Sequence, residues 1–277
     1  MNKTLSWLAL TLCAALPQIA QAGDLADVKR LGVLRVAVYK EFPPFSDEGK
    51  GIDVDLAKAL ADKLGVRVDV VAVDAQENMD DDLRVWVWKG KLEGLGNRVA
   101  DVMLHVPIDN VFAARNPQVS ILAPYYRETM AMVRNTEKLY NIESVSNLAG
   151  ATIGVEGDAI AAMVLGSVDG GKIRNNLKHY LKLDDVPADL QSGAIAAFVG
   201  TRSQVEPIAK AAGNGFKISM PPPMPAMPQA GWTQGLAVKS EYKDLAAALS
   251  VAMQSLEQEG RLDTLFTSHD VKRMKPL

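Results

Sequence analysis

Apolar positions in the first part of the chain recur with two different periods. Alternating apolar residues predict strands, as where Leu34, Val36 and Val38 share one face. Apolar residues at helical spacing predict a helix that ends at Gly65, a residue type favoured just beyond a helix C terminus. The segment 79–94 fits either a helix or a strand, because an acidic start is followed by Val-Trp alternation. The predicted strands cover 31–40, 66–74 and 100–106, and the helix covers 51–65.

The second part repeats this alternation. A strand is predicted at 129–135, and another at 151–156 leads into a helix for which Asp158 is the expected N-cap. A strand at 195–199 precedes a helix that follows Ser203. Alternating strands and helices predict parallel sheets joined by right-handed crossovers, so the fold class is α/β. The last segments are a Pro- and Met-rich loop at 219–232, a short strand at 235–239 and an amphipathic helix at 241–260.

Composition narrows the classes of function. Residues 1–22 have the pattern of a secretory signal peptide, and Cys13 within them is the only cysteine of the 277 residues. After cleavage the chain would have no thiol for a disulfide, a nucleophile or a metal. The formal net charge is −3 and no basic run occurs, which argues against nucleic acid as a partner. Beyond residue 22 no apolar run is long enough to predict a membrane span.

Two loops are candidates for a ligand site. In open α/β sheets, ligands lie beyond the carboxyl ends of the strands. The loops at 40–46 and 105–110 follow the first and third predicted strands, and they contain Glu41, Phe42, His105 and Asp109. The sequence therefore predicts a site where these loops meet.

The ordered segments of the chain resemble the type II periplasmic solute-binding proteins, solute-binding family 3. The segments that carry the resemblance are "LRVAVYKEFPPFS", "GIDVDLAKALADKLG", "ADVML", "APYYRETMAMV", "LAGATIGVEGD", "GLAVKSEYKDLAAAL" and "LEQEGRLDTLF". The resemblance implies a two-lobed fold with two mixed sheets, flanked by helices and joined by two crossing strands. Lobe one would comprise 23–128 plus 238–277, and lobe two would comprise 129–237. The family implies a periplasmic, monomeric, non-catalytic protein without a cofactor, which binds a small molecule in the cleft between its lobes.

The chain departs from the amino-acid receptors of this family. Phe112 stands where those receptors have an arginine for the ligand carboxylate, and Arg115 lies three residues later. Thr201 stands where they have an aspartate for the ligand amine, and residues 157–159 replace their "GTT" turn. An unpaired buried charge costs several kcal/mol, so these departures argue against an ordinary amino-acid ligand.

Two segments, "DVMLHVP" and the Pro-rich approach to "GLAVK", resemble one branch of the family more closely. That branch contains accessory proteins of periplasmic quinoprotein alcohol dehydrogenases. It implies a partner protein, either the dehydrogenase or its cytochrome. This accessory role is the primary hypothesis. The first alternative is the solute-binding component of an ABC importer, with a permease as partner. The second is an enzyme on the same fold, such as a dehydratase.

The candidate residues keep alternative roles. His105 is a hydrogen-bonding residue of the cleft, a strand-end histidine, a metal ligand or an acid–base group paired with Asp109. Phe42 stacks on a ligand or packs beneath the cleft, and Arg127 is a substitute cation or part of the hinge. Asp158 is a helix cap or a ligand contact. The predicted ligand contacts are Glu41, Phe42, His105, Pro107, Asp109, Arg127, Asp158 and Thr201.

Overall fold

The computed structural model of the chain describes residues 24–90, 99–224, 226–227 and 230–276. The predicted signal peptide at 1–22 lies outside the described residues. Among the helices of these ranges, none combines the length and apolar character needed to span a membrane.

The elements alternate along the chain as the sequence predicts. The strands are β1 (Val33–Tyr39), β2 (Arg67–Val73), β3 (Val102–Pro107), β4 (Val119–Glu128), β5 (Met130–Asn135), β6 (Ile153–Glu156), β7 (Leu177–Tyr180), β8 (Ala197–Thr201), β9 (Phe216–Ser219) and β10 (Trp232–Lys239). The helices are α1 (Leu25–Leu31), α2 (Ile52–Leu64), α3 (Met79–Leu83), α4 (Asn110–Arg115), α5 (Ile160–Ser167), α6 (Val186–Ser192), α7 (Arg202–Ala212), α8 (Lys243–Gln258) and α9 (Arg261–Thr267). Short 3₁₀ turns lie at Val145–Leu148, Val168–Gly171 and Arg174–Asn176.

The strands form two mixed sheets. The first has the order β2-β1-β3-β10-β4, with β1 parallel to β2 and β3, and with β10 antiparallel to both of its neighbours. The second has the order β7-β6-β8-β5-β9, with β6 parallel to β7 and β8, and with β5 antiparallel to β8 and β9. Each sheet is the centre of one lobe.

Helices cover both faces of the first sheet, which is why the interior of β1 is buried on both sides. Leu34, Val36 and Val38 face a core shared with α2, α8 and α9, while Ala37 faces a second core with α3 and α4. Because β10, α8 and α9 belong to this sheet and its core, the first lobe is built from both ends of the chain. In the second lobe, α5 covers one face, and α6 and α7 cover the other.

Three local predictions need correction. The ambiguous segment at 79–94 is helical from Met79 to Trp88, with α3 followed by a π-helical turn at Arg84–Trp88. Asp158 does not cap α5: it is exposed, has a φ of +59°, and leaves Ala159 as an N-cap without a side-chain hydrogen bond. The strand predicted at 235–239 begins earlier, at Trp232, because Trp232 already pairs with Glu128 of β4. The return to the first sheet therefore starts at Trp232 rather than at the predicted residue 238.

Two connections cross between the lobes. Thr129 alone separates β4 from β5, and residues 220–231 lead from β9 to β10. The connections touch at Gly231, which has a φ of +75°. A Cβ atom there would lie 2.0 Å from the carbonyl oxygen of Glu128 and 2.7 Å from Cγ2 of Thr129. Only glycine fits this approach without a backbone shift.

The C-terminal segment runs beside the first of these crossings. The backbone N–H of Arg127 donates to Met274 O at 2.9 Å, and Arg273 Nε donates to Tyr125 O at 2.6 Å. Further along, Lys272 N–H donates to Glu206 of α7 at 2.5 Å. The last residues of the chain thus contact both lobes.

Gly231→Ala is expected to lower the melting temperature by about 4–16 °C. The added methyl group must displace backbone at the crossing, which costs about 2–4 kcal/mol, and each kcal/mol lowers the midpoint by about 2–4 °C at this chain length. Thermal unfolding followed by circular dichroism measures the change.

Gly32→Ala is the matched control. Gly32 has a φ of +67° but no atom within 4 Å of its missing Cβ, so it carries the conformational strain without the clash. If both variants melt at the same temperature, the close approach at Gly231 does not constrain the crossing.

Candidate functional site

A cavity of about 420 Å³ lies between the lobes, within the range typical of small-molecule sites. One side comes from the first sheet and the loops at its edge, and the other from the second lobe. Its described lining residues are Tyr39, Phe42, Pro43, Phe45, Met79, His105, Pro107, Glu128, Met130, Glu156, Ala159, Ile160, Ala161, Gly200, Thr201, Ser203, Gln204, Trp232 and Gln234.

A bulge in β3 turns His105 out of the regular ladder. Met103 pairs with Ala237 and Val106 with Gly235, so Leu104 and His105 together lie opposite the single residue Leu236. His105 accordingly has a φ of +62°. Such bulges redirect side chains next to functional sites.

A buried hydrogen-bonded cluster holds the His105 ring. Nδ1 lies 3.1 Å from Asp53 Oδ2, and Tyr125 Oη donates to Asp53 Oδ1 at 2.8 Å. Tyr125 Oη also accepts the His105 backbone N–H at 3.1 Å. A carboxylate oxygen accepts this contact when the proton of the imidazole is on Nδ1, and Nε2 is then the ring nitrogen that is not held by Asp53. The rings of Phe42 and Phe45 pack edge-on against the imidazole, with centroids at 4.8 and 4.2 Å.

A second buried cluster forms around Glu128, the last residue of β4. Its Oε1 accepts the backbone N–H groups of Thr129 at 2.8 Å and Arg202 at 3.1 Å, and the Tyr126 hydroxyl at 3.2 Å. Its Oε2 accepts the Ser203 hydroxyl. Burial raises the pKa of Glu128 above its ordinary value, although the hydrogen bonds from Ser203 and Thr129 oppose the shift.

Glu156 has a different environment, at the end of β6. Its Oε2 accepts from Gln204 Nε2 at 2.7 Å, while Oε1 accepts no hydrogen bond from the described residues. Gln204 Oε1 in turn accepts the Thr201 N–H at 3.2 Å. Across the cavity, Gln234 has a buried Oε1 without a hydrogen-bond partner in the described part of the chain. Glu156 therefore has an oxygen open to a ligand, and Gln234 has a buried acceptor that the described residues leave unpaired.

A smaller cavity of about 160 Å³ adjoins the first, and Pro43 and Glu156 line both. We call this smaller cavity the mouth. Its other residues come from the loop after β1 and the loop after β7. They are Glu41, Asp47, Leu181, Lys182, Leu183 and Asp184.

A two-lobed fold with a cavity between the lobes is the architecture of periplasmic receptors, and the comparison with known proteins agrees. Residues 34–269 match the family described as bacterial extracellular solute-binding proteins, family 3. The chain belongs to this family.

Similar proteins within and around the family support the same fold. The L-cystine-binding protein TcyJ of Escherichia coli K12 is 25% identical over 270 residues, which span 93% of this chain and 90% of TcyJ. The structure of an ancestral cationic amino acid solute-binding protein superposes with a TM-score of 0.67 at 19% identity, covering 89% of this chain and 99% of its own. An ancestral arginine-binding protein bound to glutamine has a TM-score of 0.54 at 27% identity, covering 86% and 97%. The predicted two-lobed α/β fold is confirmed, and these relatives are binding proteins rather than enzymes.

Within this family fold, the structure brings four of the predicted site residues to the interlobe cavity and one to its mouth. Phe42, His105, Pro107 and Thr201 line the cavity. Glu41 lies at the mouth.

The other three predicted residues lie elsewhere. Asp109 is exposed and caps α4, because its Oδ1 accepts the Phe112 N–H at 2.7 Å, so it does not pair with His105. Asp158 is an exposed turn residue. Arg127 lies outside the cavity lining, because alternation along β4 places Tyr126 and Glu128 on the opposite side. Its Nε is buried without a hydrogen-bond partner in the described ranges.

Sequence reasoning missed the residues that give the cavity its character: Asp53, Tyr125, Glu128, Glu156, Trp232 and Gln234. Asp53 was visible only as one acid in the first turn of a helix, and Glu128 as the end of a strand. Within the described residues, no group of three or more His, Cys, Asp and Glu side chains is arranged to hold a metal ion.

Tyr125→Phe is expected to destabilise the protein by about 1–3 kcal/mol, because it removes a donor to Asp53 and leaves the buried His105 N–H without its acceptor. Tyr140→Phe is the control, since Tyr140 is 88% exposed. Denaturant titration should separate the two, and equal stabilities would contradict the cluster.

Glu128→Gln is expected to change how stability depends on pH. Because the pKa of Glu128 is raised in the folded state, the folded protein binds this proton more tightly than the unfolded chain. Wild-type stability from this group is therefore present at low pH and is lost as pH rises through the folded pKa. The melting temperature of the variant relative to wild type should rise as the pH increases from the ordinary range of a glutamic acid through the raised pKa of Glu128. Glu137→Gln, at an exposed site in the second lobe, controls for net charge, and a parallel pH profile for both variants would contradict the prediction.

Proposed function

We propose that this protein is the periplasmic solute-binding component of an ABC importer, and that it binds a small organic solute between its lobes without catalysis. The observation that carries the proposal is the cavity of about 420 Å³, lined by residues of both lobes and not filled by the protein's own side chains. Export by the predicted signal peptide at 1–22 is part of the proposal.

The geometry gives a physical basis for ligand-dependent closure. His105 and Phe42 come from the first lobe, and Glu156 and Thr201 from the second, so a ligand reaches all of them only when the lobes are together. Because the ligand contacts both lobes only in the closed state, ligand binding favours the closed state. The short crossing at Thr129 and the close approach at Gly231 mark where such movement would be centred.

The importer is favoured over the dehydrogenase-accessory role that the sequence suggested first. The relatives reported above are named for binding cystine, arginine or cationic amino acids. None of these descriptions mentions a quinoprotein, and the two short segments remain the whole basis for that reading. An enzyme is disfavoured because Asp109 is engaged at α4 and the His105 ring is tied to Asp53.

Ala159→Trp is expected to abolish ligand binding, because Ala159 lines the cavity and an indole there would occupy it. Thermal shift would be measured with millimolar L-arginine, L-cystine, agmatine and cadaverine. A probe at about 100 times its dissociation constant stabilises the wild type by about 2.7 kcal/mol, or about 5–10 °C. Met163→Trp, on the same helix but 69% exposed, should keep that shift.

Two results would contradict the proposal. One is the absence of any shift with these probes and with a wider panel of neutral and anionic solutes, and the other is an equal shift in wild type and Ala159→Trp. Uptake of the labelled ligand by cells tests the importer role directly. Deletion of the gene should abolish uptake, and the wild type should restore it where Ala159→Trp does not.

A further inference from the structure

We infer that the ligand is an organic cation, with an amine or guanidinium head and no carboxylate. This inference rests on the proposed function and specifies the solute. It follows from the charges of the cavity and of its mouth. Probes paired with and without a carboxylate distinguish such a cation from an amino acid.

The described lining of the cavity contains carboxylates but neither lysine nor arginine. Phe112, which stands in place of the expected arginine, is buried in the core between α3, α4 and the first sheet. Arg115 is directed to Asp80, at 3.4 Å, on the protein surface. A ligand carboxylate would therefore enter a site with acidic groups and without a cationic partner, which is strongly unfavourable for a desolvated charge.

Glu156 is the group best placed to bind a cation. Of the other acidic and imidazole side chains of the lining, Glu128 accepts hydrogen bonds from several protein donors and His105 is held through Nδ1 by Asp53. Glu156 has one oxygen held by Gln204 and one oxygen open. The unpartnered Gln234 Oε1 is a second acceptor in the same cavity. An ammonium or guanidinium group donates to such acceptors and accepts nothing, which matches this set.

The walls suit the body of such a ligand. Tyr39, Phe42 and Trp232 line the cavity, and aromatic faces attract organic cations while packing against alkyl chains. Tyr39 is held in place because its hydroxyl donates to Asp82 at 2.7 Å. The aromatic surface therefore adds attraction for a cation without a second charged residue.

The mouth carries the same sign of charge. Glu41, Asp47, Asp184 and Glu156 line it, and Lys182 is the one basic residue in its described lining. An acidic entrance raises the local concentration of cations and repels anions, with an effect that weakens as salt is added. Entry and binding thus favour the same class of solute.

One feature of the cavity, a helix N terminus, favours an anionic ligand, but its effect is weaker than that of the acidic groups. The N terminus of α5 lines the cavity at Ala159, Ile160 and Ala161 and has no side-chain cap. A helix N terminus is equivalent to roughly half a positive charge, and its stabilisation of an anion is small and is screened by salt. That is less than the cost of a carboxylate beside Glu156 without an arginine. These amides suit a neutral oxygen of the ligand or a water molecule.

Two pairs of probes isolate the carboxylate. Agmatine is arginine without its carboxylate, and cadaverine is lysine without its carboxylate. Isothermal titration at low ionic strength should give at least one of these amines an affinity at least tenfold higher than that of its parent amino acid. Added salt should weaken the binding of that amine.

Glu156→Gln tests the proposed partner of the cation. Glutamine keeps an acceptor for Gln204 but removes the charge, so the affinity for the amine should fall at least tenfold while the melting temperature of the free protein stays within a few degrees of wild type. Glu137→Gln, an exposed acid of the same lobe, should leave the affinity unchanged.

The outcomes separate the two proposals. If L-arginine or L-lysine binds more tightly than its amine and Ala159→Trp abolishes that binding, the inference of a carboxylate-free cation is wrong and the solute-binding function stands. If Glu156→Gln leaves the affinity for the amine unchanged, the assignment of Glu156 is wrong. If none of the four compounds binds, the organic-cation inference fails. A wider panel of neutral and anionic solutes that also fails with the wild type would remove the proposed function.

Discussion

The carboxylate of Glu128 is buried where the lobes meet, and its hydrogen bonds come from both sides of that junction. Tyr126 belongs to the first sheet, Thr129 is the crossing itself, and Arg202 and Ser203 begin α7 in the second lobe. A buried carboxylate is tolerated only with several donors, so these elements must stay close together. The position of the cavity, with the end of β4 on one side and the start of α7 on the other, follows from this requirement.

A second constraint acts within the first sheet. β10 lies between β3 and β4, and its ladder is interrupted on both sides. A Cβ atom on Gly235 would lie 2.5 Å from Leu122 O and 2.6 Å from Ile108 Cδ1, so the strands approach there more closely than a side chain allows. The bulge at His105 and the positive φ of Ala123 occur in the same region. Irregular pairing thus places a polar ring at the cavity in the middle of an apolar sheet.

The sequence predicted those parts of the fold that depend on local pattern. The apolar faces of β1 and α2 and the glycine after α2 are periodic signals, and Gly65 has the expected left-handed conformation. Asp158 and Asp109 show the limit of such signals. An Asp near a helix start is either a cap or an isolated polar residue, and only the backbone path decides which. Asp109 became the cap of a helix that was not predicted, and Asp158 fell outside one that was.

The character of the site could not be predicted because it depends on distant pairs. Asp53 and His105 are separated by a strand and a helix, and Glu156 is distinguished from other surface acids only by what surrounds it. The family resemblance supplied the location of the cleft and the missing arginine. It did not indicate which acids would remain open to a ligand, since that depends on how many donors the folded chain offers to each one.

The central position of β10 also has a consequence for the order of folding. The second sheet is made from one continuous stretch, from β5 to β9, and contains all its strands before β10 is synthesised. In the first sheet, β3 and β4 both pair with β10 (Trp232–Lys239), which is synthesised after them. Contacts between residues so far apart in sequence form slowly. The second lobe is therefore able to fold first, while the lobe that contains the N terminus waits for the last part of the chain.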